Sequence, residues 1–297
     1  MKRLQGILIV LAIAMVLAAC PPDPSSGSSP ETLSLSGSVY IREINLDPSD
    51  SANLAPYKDA EKSLRLIIFD GGLGGSGKIE NGRFSYSTGK PDDDVLFPVG
   101  DVGLAGIDMG GIYTDVSIQP EDANVAILNF EIMGNPDYIL LTRESIAPDI
   151  SGIFSPIPNI TINIGFVSYI YADKNINIDA KGSPHSSTIA DILSEIDMDI
   201  IIDDAMNLPF DIMDIPVELI TQDIRLALKK GWNRINNKVA ITMLFDSLDL
   251  SSLLGVGEGN LDIQVSKATG NVSISLGDPS DYKWVLNPNE DVFLPTD

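Results

Sequence analysis

Residues 33–41 read LSLSGSVYI, and apolar and polar side chains largely alternate along them. Successive side chains of a β-strand point to opposite faces of a sheet, so this period of two predicts a strand. One face of that strand would be buried and the other would face water. The stretch decides the fold because similar short runs, separated by turn sequences, recur along most of the chain.

A hairpin is predicted over residues 78–87. Asn81-Gly82 supplies the two residues with positive φ that a type I′ turn requires. Phe84 and Tyr86 would then point to one side. Further strands are predicted at 64–69, 125–132, 138–142 and 160–172, each from a run of apolar or alternating residues.

Residues 222–229 are ambiguous between two structures. Ile224, Leu226 and Leu228 alternate as in a strand, whereas Val217, Ile220, Ile224 and Leu228 would suit one face of a helix. We favour the strand because Lys230-Gly231 turns into a second alternating run that ends at Phe245. A late hairpin is also predicted, with a turn at Thr269-Gly270-Asn271 between strands at 261–265 and 272–276.

One short helix is predicted near 188–198. Thr188 can cap it, and Ile189, Ile192, Leu193 and Ile196 fall on one helical face. Short strands, frequent turns and little helix favour a mainly β fold built as an antiparallel β-sandwich. Two prolines and a glycine in 149–159 suggest two β-rich domains, 33–150 and 151–297; a single domain over 33–297 is the alternative.

The first nineteen residues are predicted to be an export signal rather than part of the fold. Lys2 and Arg3 precede an apolar run that ends at small residues. Leu17-Ala18-Ala19-Cys20 resembles the lipobox of bacterial lipoprotein precursors, which implies that residues 1–19 are removed and that Cys20 is lipidated. Residues 20–32 would then form the lipidated cysteine and a flexible tether rich in Pro, Ser and Gly.

Composition limits the partners of the protein. Its 297 residues carry a formal net charge of −23, and removal of Lys2 and Arg3 with the signal makes it more negative. Such a surface repels nucleic-acid phosphates, so we expect no nucleic-acid partner. Cys20 is the one cysteine, so no intramolecular disulfide can form. No apolar run after the signal is long enough to span a bilayer as a helix.

Residues 72–79 read GLGGSGKI and nearly match a phosphate-binding loop. That loop requires Ser or Thr at the position of Ile79, to hold magnesium, and a helix directly afterwards. Asn81-Gly82 turns the chain instead. We therefore expect the approach to a hairpin and no nucleotide site.

Acidic clusters raise the possibility of calcium. Asp173, Asn175, Asn177 and Asp179 are spaced like the first ligands of an EF-hand, but Ile178 and Pro184 occupy its glycine and twelfth positions. The pattern favours a strand whose polar residues face solvent and whose Ile176 and Ile178 point inward. Separate acidic loops could still converge on one Ca²⁺, from 92–94 and from Asp197, Asp199, Asp203 and Asp204.

The remaining candidate residues point away from familiar catalysis. His185, the one histidine, is predicted in a surface loop, and no nucleophile elbow accompanies it. A glycan hydrolase with a pair of catalytic carboxylates stays an open hypothesis, because the distance between two carboxylates is set by the fold and cannot be read from the sequence. The aromatic residues Trp232, Trp284, Tyr169 and Tyr171 could stack on sugars, but the core is the favoured place for them.

Residues 228–233, LKKGWN, resemble a strand-turn-strand segment of uncharacterised bacterial surface lipoproteins, including spirochaetal ones. This resemblance implies a lipoprotein β-domain and assigns no functional residue. The expected function is a non-catalytic binding or structural module without a cofactor or metal, lipid-anchored in the bacterial cell envelope and facing the periplasm or the cell surface. Its ligand would be a protein or a glycan. A carboxylate-based glycan hydrolase and a calcium-stabilised adhesion domain are the alternatives.

Overall fold

The computed structural model describes residues 31–42, 54–57, 66–101, 113–133, 138–149, 151–188, 215–247 and 264–288. Within these ranges the chain is about 70% β-strand, with short 3₁₀ turns at Asp93–Val95, Val99–Asp101 and Ser151–Phe154. Across the same ranges, no helix has the length and apolar character needed to cross a membrane. The strands are β1 (Leu33–Arg42), β2 (Leu54–Pro56), β3 (Leu66–Phe69), β4 (Ser76–Glu80), β5 (Arg83–Thr88), β6 (Phe97–Pro98), β7 (Tyr113–Gln119), β8 (Asn124–Leu128), β9 (Glu131–Met133), β10 (Tyr138–Asp149), β11 (Asn159–Ala172), β12 (Ile176–Gly182), β13 (His185–Thr188), β14 (Pro216–Thr221), β15 (Ile224–Leu228), β16 (Gly231–Ser247), β17 (Gln264–Leu276) and β18 (Lys283–Pro288).

Most of these strands form one long sheet. Its order is β13-β14-β17-β16-β11-β10-β18-β1-β5-β4-β3-β9, with β2, β6 and β8 paired beside this path. Pairing is antiparallel except for β1 with β18 and β14 with β17, which are parallel. Strand β9, at the far end, also pairs with β10 through Leu140 and Glu131, so the sheet folds back towards its own middle.

A second sheet of three strands, β15-β12-β7, covers one face of the long sheet. Its inward residues Ile176, Ile178 and Leu226 are buried together with Ile162 of β11 and Ile241 of β16. We call this mostly Ile, Val and Leu cluster the aliphatic core. Two sheets packed face to face over such a layer form the predicted sandwich-like arrangement.

The opposite face carries a second cluster, the aromatic core. It is enclosed where the N-terminal strands fold back over β11 and β18, and Leu35, Ile79 and Leu286 are among its aliphatic members. Even-numbered residues of β11 enter the aliphatic core, whereas Val167 and the tyrosines after it enter the aromatic core. Its aromatic members are Phe84, Tyr86, Phe130, Tyr169, Tyr171, Trp232, Tyr282 and Trp284.

The local sequence rules work well in several strands. Residues 33–41 lie in β1, and β4 and β5 form the predicted hairpin, with Asn81 at φ 52° and Gly82 at φ 67°. Phe84 and Tyr86 are both buried on one side of β5. Residues 224–228 form a strand, as preferred over the helix, and Gly231 begins the long alternating strand β16.

The predicted late hairpin is wrong in the part that the structure describes. Strand β17 runs unbroken through Thr269-Gly270-Asn271 and pairs with β16 along its whole length. Gly270 meets a packing need rather than a turn: a Cβ there would collide with the Leu219 side chain of β14. Leu261 and Ile263 lie outside the described residues.

Two other predictions, the helix near 188–198 and the division into two domains, are not tested by the described residues. Thr188, the predicted helix cap, ends strand β13, and residues 189–198 lie outside the described residues. The division into domains 33–150 and 151–297 stays a prediction. Strands from both sides of that boundary pair in the long sheet, for example β1 with β18 and β10 with β11.

Candidate functional site: a polar cleft on the long sheet

The aromatic core covers only part of its face of the sheet. Along β11, Val167, Tyr169 and Tyr171 are buried, whereas Asn163, on the same face, is exposed. On the N-terminal side of Val167 this face of β11 is therefore open, and a cleft of about 320 Å³ lies there. Its lining comes from β10, β11, β16, β17 and two loops: Ser145, Asn163, Ile164, Gly165, Gln222, Lys238, Val239, Ala240, Asn271, Ser273, Asp281 and Tyr282.

Two rows of residues in register form the floor of the cleft. Ser145, Gly165, Lys238 and Ser273 lie opposite one another on four neighbouring strands. In the next row, Ala240 lies between Asn163 and Asn271. Because directly paired residues point to the same face of a sheet, the polar groups of each row share one surface.

Tyr282 forms one wall. Its ring lies against Gly165, where an added Cβ would collide with the tyrosine hydroxyl, so the glycine makes room for the ring. The tyrosine is 3% exposed. Burial, with a smaller contribution from the carboxylate of Asp281, raises the pKa of Tyr282 to about 12. The phenol is therefore neutral at physiological pH and can donate a hydrogen bond.

Arg143 holds the loop that carries this wall. Its guanidinium donates hydrogen bonds to the backbone carbonyls of Tyr282 and Pro279, the latter at 3.2 Å. It also lies 3.4 Å from Asp278, and Arg234 reaches the other oxygen of that carboxylate at 3.5 Å. The same guanidinium lies 5.6 Å from the centre of the Trp284 ring. The wall is thus fastened to both the sheet and the aromatic core.

The chemistry of the cleft is that of neutral polar groups. Gln222, Asn163 and Asn271 carry amides that both donate and accept hydrogen bonds, and Ser145 and Ser273 carry hydroxyls that do the same. Lys238 and Asp281 contribute one positive and one negative charge. Among the described residues of the lining, Asp281 is the one carboxylate.

The predicted sugar-stacking aromatics lie elsewhere. Trp232, Trp284, Tyr169 and Tyr171 are each at most 3% exposed, so their faces cannot take up a ligand. Tyr169 stacks on Trp284 at 6.1 Å, and the Trp232 indole donates to the Gly89 carbonyl at 2.9 Å. The preference for a core role is confirmed.

The glycine-rich segment 71–77 wraps around a buried carboxylate. Asp70 accepts hydrogen bonds from the amides of Leu73 at 3.1 Å and Gly75 at 2.6 Å, and from the Tyr86 hydroxyl at 2.9 Å. Positive φ angles at three glycines allow the chain to turn this tightly. Lys78 lies in β4 and pairs with Glu80. Two of the amides that a phosphate loop would offer to a ligand are bound to Asp70, and the predicted hairpin approach is confirmed.

The EF-hand-like residues also bind the protein itself. Ile176 and Ile178 are fully buried, as predicted for a strand with its polar residues outward. Asp173 accepts from the backbone and side-chain nitrogens of Asn124, and Asn175 accepts from the amide of Lys230. Among the described residues, no group of three or more His, Cys, Asp or Glu side chains could hold a metal ion. Residues 197–204 lie outside the described ranges.

The two remaining candidate residues are His185 and Cys20. His185 lies in edge strand β13, opposite Leu219, and the prediction of a surface loop is wrong; strand pairing extends over the short Ser-rich segment. Cys20 lies outside the described residues.

Sequence reasoning missed the cleft itself. Asn163, Lys238, Asn271 and Ser273 are the polar positions of alternating strands, a pattern that indicates only a solvent-facing side. The signal in the sequence is the small, neutral character of that side at 161–165 and 269–275. The chain matches no protein-family model, no curated protein and no solved structure with which it was compared.

Proposed function

We propose that this protein is a lipid-anchored component of a bacterial cell envelope whose β-rich body binds a ligand in the cleft without converting it chemically. The observation that carries the binding role is the cleft itself, an open patch rich in neutral hydrogen-bonding groups beside the aromatic core. Ligand sites are typically concave and present a few convergent polar groups.

The anchor is supported by the order of segments at the N-terminus. Cys20 is the last residue of the lipobox-like motif, and residues 21–32 lead to Leu33, which is 2% exposed at the beginning of β1. If this segment is the predicted tether of flexible chain, it would span roughly 20 Å on average. The folded body would therefore stand close to the membrane surface, held by acyl chains whose attachment contributes about 0.8 kcal/mol per buried methylene.

Binding is favoured over glycan hydrolysis by the carboxylates near the cleft. A glycosidase ordinarily needs two carboxyl groups on opposite sides of the scissile bond. Asp281 is the one acidic residue in the described lining, and Asp278 behind it is engaged by two arginines. The available groups suit recognition better than this reaction.

The anchor is tested by replacing Cys20. Cys20→Ala should abolish incorporation of labelled fatty acid and move the protein from the membrane fraction to the soluble fraction of exported proteins. A Ser29→Ala variant in the tether is the matched control and should be labelled like the wild type. Fatty-acid labelling of Cys20→Ala would overturn the proposed anchor.

The facing of the body is tested on intact cells. Protease treatment should cleave a surface-exposed body and leave a periplasmic control protein intact, whereas cleavage only after lysis would place the body inside the envelope. Either result directs the search for the ligand to one compartment.

A further inference from the structure

We infer that the cleft binds a neutral saccharide, with the ligand lying over Ala240 between the side chains of Asn163 and Asn271. This inference deepens the proposed binding function and rests on it.

The charge of the cleft points to a neutral ligand. The chain as a whole carries a formal charge of −23, but the cleft contains one lysine and one aspartate, Lys238 and Asp281. A cationic ligand would find more favourable acidic surface elsewhere, and an anionic ligand would be repelled by the protein as a whole. A neutral ligand is penalised by neither effect.

The hydrogen-bonding groups point to hydroxyls. Side-chain amides and hydroxyls both donate and accept, and they dominate the lining through Ser145, Gln222, Asn271 and Ser273. A sugar hydroxyl has the same double capacity. An extended peptide would instead seek a free sheet edge for its backbone, whereas the two central strands of the floor, β11 and β16, are paired on both sides.

The spacing of the floor suits a small ring. Ala240 lies directly between Asn163 and Asn271 on adjacent strands, so the two asparagines are separated by two strand spacings, roughly 10 Å. The short alanine side chain leaves a depression between the two amides. A volume of about 320 Å³ is at the small end of ligand pockets, which favours a short saccharide or one end of a longer chain.

The test uses the lipidated protein, residues 20–297, in a detergent without a sugar headgroup. It is applied to an array of neutral oligosaccharides, with and without N-acetyl groups, beside uronic-acid and sulfated oligosaccharides. Wild type should bind at least one neutral member. Gln222→Ala combined with Asn271→Ala should weaken that binding about tenfold, since each lost hydrogen bond costs several-fold in affinity.

A second variant and a matched control make the result specific. Ala240→Gln fills the depression without removing a polar group and should abolish binding. Gln119 and Asn177 are an exposed amide pair, opposite each other on the second sheet. Their double alanine variant should bind like the wild type. Circular dichroism should show the same β content for every variant.

Three outcomes would overturn the inference: no binding to any neutral saccharide, binding confined to charged saccharides, or neutral binding that both cleft variants leave unchanged. Its failure differs from failure of the anchor. A protein that is labelled at Cys20 and ignores saccharides contradicts the saccharide site alone, and an unlabelled protein that binds them contradicts the anchor alone.

Discussion

The two cores on opposite faces of the long sheet are built from different types of side chain. Between the two sheets, the aliphatic core consists mainly of branched side chains such as Ile162, Ile178 and Ile241. The aromatic core has eight rings, and most of their contacts are edge-to-face, for example Phe84 against Phe130 with ring centres 5.2 Å apart and planes at 72°. Tyr169 on Trp284 is the stacked pair among the described residues. The geometry of each face explains this difference.

The space between two sheets about 10 Å apart is filled well by branched side chains on alternating positions. The aromatic core instead fills the space where one sheet folds back on itself, and this space needs larger groups in edge-to-face contact. Its members are distant in sequence, since the ring centres of Phe84 of β5 and Trp284 of β18 lie 4.4 Å apart. We therefore expect the aromatic core to be the less forgiving of the two.

The largest effect is expected from Trp284→Ala. This ring contacts Phe84 and Phe130 and stacks on Tyr169, and Arg143 lies over it. Its removal should lower the free energy of unfolding by about 3–5 kcal/mol. Ile178→Val, in the aliphatic core, should cost only about 0.5–1.5 kcal/mol. Urea unfolding followed by circular dichroism gives both values, and equal costs would contradict the proposed dependence on Trp284.

A medium effect is expected from adding one methyl group to either core. A Cβ at Gly37 would lie 2.5 Å from Cδ1 and 2.8 Å from Nε1 of Trp284, a rigid ring that its neighbours hold in place. Gly37→Ala should therefore cost about 1–3 kcal/mol, the range of an overpacked core. Gly270→Ala should cost less, because the nearest atom is the far end of the flexible Leu219 side chain and the next, Val217 Cγ1, is 3.2 Å away.

The comparison of the two glycine variants is internally controlled. Neither glycine has a φ in the left-handed region, so backbone strain does not enter, and the difference reports the neighbours alone. Thermal unfolding of both variants beside the wild type measures it. A larger loss for Gly270→Ala would show that the aliphatic core is the more rigid one.

Gly270 also shows where sequence reasoning succeeds and fails in this protein. Strands β1 and β16 and the hairpin of β4 and β5 follow from alternation and turn chemistry, which are local properties. A glycine between polar residues at 269–271 carries the same local signal as a turn. Its real cause is Leu219 on a strand distant in sequence, which no local pattern contains.

The same limit applies to the cleft. Its floor depends on the register of four strands drawn from residues 138–276, and its wall depends on Arg143 reaching a loop more than 130 residues later. Parallel pairing of β1 with β18, which joins the ends of the described chain, is likewise invisible in either segment alone. Alternation of polar residues predicts that one side of a strand faces solvent. It does not predict which of these strands lie next to one another in the sheet.

The smallest effect concerns two tyrosines, Tyr113 in the aliphatic core and Tyr282 in the aromatic core. Burial raises the pKa of each to about 12, with an added contribution from Asp281 at Tyr282. An unfolded tyrosine ionises near pH 10, so the unfolded state loses its protons first. The corresponding stability is fully present below pH 10 and is lost as the pH rises from about 10 to 12.

Tyr113→Phe should separate the two contributions. The Tyr113 hydroxyl is buried with no hydrogen-bond partner among the described residues, so its removal should change the free energy of unfolding by less than about 1 kcal/mol at neutral pH. Above pH 10 the variant should lose stability less steeply than the wild type, and Tyr282→Phe should act in the same direction. Urea unfolding at a series of alkaline pH values measures the slopes. A Tyr113→Phe slope equal to that of the wild type would mean that the aliphatic core admits water to this hydroxyl and is the looser of the two cores.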